Sequence, residues 1–91
     1  MSCATPTANG PRLALTLIAG GEPRMRLERR LRCAAGGLGL TLDLTVSGDP
    51  ESFGLRYEQT PVVLRDGRIL FSGLPRTEKI QAILTGLMGQ Q

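Results

Sequence analysis

Two thiols, a run of guanidinium groups and one carboxylate at its start are the side chains with chemistry to offer in this 91-residue chain. The thiols are Cys3 and Cys33, and Cys33 lies beside Arg29, Arg30 and Arg32. Nearby guanidinium groups stabilise a thiolate, which would make Cys33 a reactive residual thiol. The plainer reading, and the preferred one, is a small half-buried helix residue, a role that free cysteine fills readily. A Cys3–Cys33 disulfide is conceivable, but a reducing cytosol argues against it as a lasting feature. Two cysteines are too few for a disulfide scaffold or a four-cysteine zinc site. The chain has no histidine, so imidazole acid–base catalysis and imidazole metal ligation are excluded. No metal and no cofactor is expected.

Arg24, Arg26, Arg29, Arg30 and Arg32 surround a single acid, Glu28. Three readings stand, in order of preference: a solvated surface, a face for an acidic protein, and a nucleic-acid contact. In the second, Arg26, Arg29 and Arg30 are the candidate contacts. The third is disfavoured because no aromatic residue interleaves with the arginines to stack on bases. Glu22 has no second titratable group assigned to its neighbourhood, so no acid–base pair is in prospect. Its expected role is to cap a helix. Gly20-Gly21 lacks the third glycine of a dinucleotide fingerprint, and Glu22 would repel a phosphate.

The elements that must position these groups follow from size and pattern. The length fits one domain with a modest core. Apolar residues make up 41% and charged residues 21%, which is the balance of a globular chain rather than a disordered one. Aromatics are limited to Phe53, Tyr57 and Phe71, so Leu, Ile, Val and Ala must build the core. The net charge of +3 does not by itself imply nucleic acid. No apolar run approaches the roughly 18–20 residues of a membrane span, and the first residues lack the basic start and apolar stretch of a signal peptide. A cytoplasmic protein is expected. Residues 1–11 read as a flexible tail and 12–91 as the domain.

Leu13 to Ile18 is too apolar for a one-sided strand and suits a central strand covered on both faces. Pro23 sits where a helix can begin, and Leu27, Leu31, Ala34 and Leu38 form one apolar stripe. Gly36-Gly37 are expected to stop that helix near Ala35. Leu40 to Val46 alternates as a strand with one buried face, so a right-handed parallel βαβ unit is expected. Asp49-Pro50-Glu51 starts a short helix ending near Tyr57, with Phe53 and Tyr57 packed inward. Asp66-Gly67 between two apolar runs is a hairpin signal. Pro75 opens a last helix with a stripe of Ile80, Ile83, Leu84 and Leu87. The order is β-α-β-(short α)-β-β-α: α/β, a four-stranded mixed sheet with helices on both faces.

That order resembles the small thioredoxin- and glutaredoxin-like proteins. Most of the likeness lies in Gln59 to Gly73, with Thr60-Pro61 opening the third strand, Asp66-Gly67 in the hairpin and Pro75 before the last helix. It extends over about residues 12–88 and is weaker in the first half. The resemblance implies a thioredoxin fold and a cis Thr60-Pro61 bond that frees the backbone of Thr60 to pair with an extended partner. It also implies a Cys-x-x-Cys motif where this chain has Glu22-Pro23-Arg24-Met25. Dithiol chemistry needs a thiolate at the helix start and a second thiol one turn on; a carboxylate and a thioether supply neither. Ala19-Gly20-x-x-Pro23 also resembles the opening of the circadian-clock KaiB family, whose thioredoxin-like state lacks the cysteine pair and works by binding partners. The expected function is therefore a redox-inactive protein-binding or accessory module. Its surface would comprise Gly21, Glu22, Pro23, Arg24 and Met25 together with Thr60 and Pro61. The alternative is a residual thiol function through Cys33 or Cys3. A monomer or a weak homodimer is expected.

Overall fold

In the computed structural model, residues 10–88 are described, Met88 by its backbone alone. The strands are β1 (Arg12–Ile18), β2 (Thr41–Ser47), β3 (Val62–Arg65) and β4 (Arg68–Ser72); the helices are α1 (Gly21–Gly37) and α2 (Thr77–Met88). They form one four-stranded mixed sheet in the order β2-β1-β3-β4. β1 and β2 run parallel with α1 as their crossover, while β3 runs antiparallel to both β1 and β4. The expected α/β class, strand count and parallel βαβ unit are all present.

The two faces of the sheet are unequal. Leu13, Leu15 and Leu17 alternate along β1 onto one face and meet Leu27, Leu31, Ala34 and Ala35 of α1 and Ile80 and Leu84 of α2. Both helices share this face and pack against each other. On the opposite face, among the described residues, a small cluster of Ile18, Val62 and Leu64 is buried, with Leu55 packed against it. The expectation of helices on both faces is corrected here. The segment after β2 makes two single 3-10 turns, Pro50–Phe53 and Tyr57–Gln59, because Gly54 enters the left-handed region at φ 74° and stops the first after one turn. Pro50 and Leu55 turn inward instead of the aromatics. Phe53 and Tyr57, expected inside, are 43% and 65% exposed.

The stop of α1 is also displaced. Gly36 and Gly37 lie within the helix. Gly39, at φ 69°, ends it: its N–H donates to Gly36 O at 3.2 Å and the Leu40 N–H to Ala35 O at 2.9 Å, the paired bonds of a Schellman cap. Leu40 and Ala35 are both in the main core, which supplies the apolar contact that draws the chain into this cap. Leu38 thus leaves the expected stripe and Ala35 takes its place. The expected tail is shorter too: Gly10 O and Pro11 O already accept hydrogen bonds from Thr41. The remainder of that tail, with Cys3, lies outside the described residues.

Asp66 and Gly67, at φ 53° and 79°, make the hairpin turn with both central residues left-handed. A Cβ on Gly67 would meet nothing within 4 Å, so its replacement costs conformation alone. Gly67→Ala is expected to lower stability by about 1 kcal/mol in urea unfolding, whereas Asp66→Asn, which keeps a favoured turn pair, leaves it within about 0.5 kcal/mol.

Candidate functional site

The pairing of Ile18 with Val62 decides what lies at one end of the sheet. Gly20 to Met25 follows β1 there, and Thr60-Pro61 precedes β3 there. The Thr60-Pro61 bond is cis. Pro61 O accepts from the Gly73 N–H at 2.8 Å, which brings the residue after Gly73 into the same region. That residue, Leu74, lines a recess of about 110 Å³ with Glu22, Pro23 and Arg26. Leu74 was not singled out in the sequence; the signal was its place after Ser72-Gly73, where β4 has to end.

Within this region two expected roles change. Glu22 does not cap α1: Gly20 holds the cap position with no side-chain bond, and Glu22 pairs with Arg26 at 2.6 Å one turn on. An acid in the first turn still complements the helix dipole, but the i,i+4 guanidinium wins the carboxylate. The backbone of Thr60 is not wholly free either. Its N–H donates to Tyr57 O at 3.1 Å as the second 3-10 turn closes, and its hydroxyl donates to the same oxygen at 2.6 Å.

The arginines separate into two sets. Arg24 and Arg32 both reach Glu28, each at 3.2 Å. With Met25 and Arg29 these three line a shallow open concavity of about 410 Å³. The Arg29 side chain makes no hydrogen bond or ion pair among the described residues. Arg26 faces Leu74 in the smaller recess. Arg30 donates to Leu74 O at 3.0 Å and Pro75 O at 3.2 Å, strapping α1 to the segment that leads into α2. The expected contacts Arg26, Arg29 and Arg30 thus have different surroundings. Arg29 is a neighbour of Arg26 by its i,i+3 spacing, yet it lines the larger concavity with Arg24 and Arg32.

Cys33 is half-buried, as expected, but it is disulfide-bonded and the described residues hold no free cysteine. The expectation of a residual thiol at Cys33 does not hold in this structure. It lies late in α1, about three turns from Glu22. Among the described residues there is no group of His, Cys, Asp or Glu able to hold a metal ion, and no helix is long and apolar enough to cross a membrane. Compared with known proteins, the chain matches no family, no curated protein and no solved structure.

Proposed function

We propose that the chain is a thioredoxin-like domain without dithiol chemistry that serves as a protein-binding or accessory module. The fold part of this reading is supported by the strand order and by the parallel βαβ unit followed by an antiparallel hairpin and helix. One observation carries the functional part. Where α1 begins, beside the Thr60-Pro61 segment, the first turn offers a carboxylate and an exposed thioether (Met25 is 56% exposed) and no thiol. The one described cysteine is distant and already oxidised.

The binding surface in this reading runs from Gly21 to Met25, across Leu74, to Thr60 and Pro61. Its partner is another protein presenting a short apolar side chain for the recess and an acid for Arg26. The test is insulin reduction with dithiothreitol as electron source. The chain is expected to leave the rate at the dithiothreitol background. Turnover above that background that grows with protein concentration would overturn the proposal.

A further inference from the structure

Among the described residues the outer edge of β2 carries unpaired backbone, since β2 ends the sheet and pairs only with β1. The Thr41 N–H donates to Pro11 O, and Ser47 O accepts from the Ala19 N–H. Those two residues turn their backbone groups toward β1, and by alternation Asp43 and Thr45 do the same. Leu42, Leu44 and Val46 turn theirs outward.

The other end strand is guarded. Leu70 is an extra residue in β4 where the register shifts opposite Val63 and Leu64, and Arg68 stands opposite Arg65. Bulges and cations are the usual protections of an exposed edge. β2 has no bulge in its register, no proline and no Lys or Arg; its only charge is Asp43.

We propose that β2 pairs antiparallel with β2 of a second copy, about a twofold axis at Leu44, joining the two sheets into one. The strand selects this occupant by its own symmetry. Leu44 is the midpoint of Thr41–Ser47, so this axis pairs the whole strand with itself. Leu42 of each copy exchanges both backbone bonds with Val46 of the other, and Leu44 with Leu44. Asp43 lies opposite Thr45, and Thr41 opposite Ser47, so no like charges meet. Moving the axis to Asp43 sets two carboxylates against each other. Moving it to Thr45 leaves Leu42 opposite Gly48, beyond the strand. Edge pairing of this length falls below the roughly 1,000 Å² of a stable interface, so the dimer forms with rising concentration rather than constitutively.

Sedimentation equilibrium from about 10 μM to about 1 mM, with amide hydrogen exchange at both ends of that range, tests this. A monomer–dimer equilibrium is expected, with protection of Leu42, Leu44 and Val46 rising with concentration. Val46→Pro removes an outward N–H at a position 36% exposed and is expected to abolish the dimer. Thr45→Asp and Thr45→Lys alter an exposed side chain and leave the fold in place. The aspartate, opposite Asp43, is expected to weaken association about three- to tenfold, and the lysine to strengthen it by a similar factor. A chain that stays monomeric throughout overturns the proposal. So does a dimer that responds to none of the three variants, or protection of these amides that does not change with concentration.

Discussion

Leu31→Ala is expected to lower the unfolding free energy by about 2–5 kcal/mol, among the largest single-residue effects in this fold. Leu31 is fully buried on α1, in the cluster that joins β1, both helices and Val63. Truncation removes its transfer free energy and leaves a cavity that α1 cannot close by shifting. Ala34 and Ala35 beside it are already small, and the Arg30 strap to Leu74 and Pro75 holds the helix in place. A domain of this size has about 5–10 kcal/mol in all, so the loss is a large fraction. It should depress the thermal midpoint by at least about 10 °C. Ile69→Ala is the reference: Ile69 is 53% exposed on the end strand and its truncation is expected to cost under about 1 kcal/mol. Equal losses for the two variants in urea unfolding would show that the helices do not share one core on this face.

A second large effect is expected from restoring sulfur where α1 begins. In Glu22→Cys the thiol would sit in the first helical turn, within reach of the dipole's positive end and of Arg26, the partner of Glu22. Both favour thiolate, so its pKa is expected about one to two units below the ordinary value of about 8.5. Alkylation of that thiol at pH 7 should then be about tenfold faster than that of an unperturbed cysteine. The double variant Glu22→Cys/Met25→Cys places two thiols three residues apart on one turn, and is expected to gain insulin reduction that neither the parent chain nor Glu22→Cys shows. Dithiothreitol in the assay also acts on the linkage at Cys33, and the parent chain, which carries the same linkage, is the control for that. An introduced thiol at position 22 that titrates at about 8.5 or above would remove the ground for equating this helix start with the redox position of thioredoxin-like proteins.

Local rules read some parts of this molecule well. Asp66-Gly67 is a turn because both residues tolerate positive φ, a preference that acts without help from the rest of the chain. Of the expected stripe Ile80, Ile83, Leu84 and Leu87, Ile80 and Leu84 are buried and the other two half-buried. The alternation of β1 sends Leu13, Leu15 and Leu17 to one face. These signals repeat over several residues, so one competing contact does not overturn them.

Other parts turned on competition between equivalent local options. Three glycines in four residues each offered a stop for α1, and the burial of Leu40 against the core selected Gly39. Phe53 and Tyr57 had the spacing of an inward pair, yet one 3-10 turn ended at Gly54 and left them outside. Glu22 had the position of a cap and found Arg26 instead. The five arginines formed one group in sequence, yet Arg24, Arg29 and Arg32 line one concavity and Arg26 another, while Arg30 straps a loop.

The sequence by itself determined the type and order of the strands and of the two long helices, the hairpin turn, the apolar makeup of the core and the lack of thiols at the start of α1. Each of these rests on residue identity or on short periodic patterns, which act through nearest neighbours. Only the tertiary structure decided which face both helices share, which arginine straps a loop and which faces solvent, and that Cys33 is oxidised. Those outcomes depend on groups far apart in the chain meeting through the sheet register, and no local pattern encodes the distance between them.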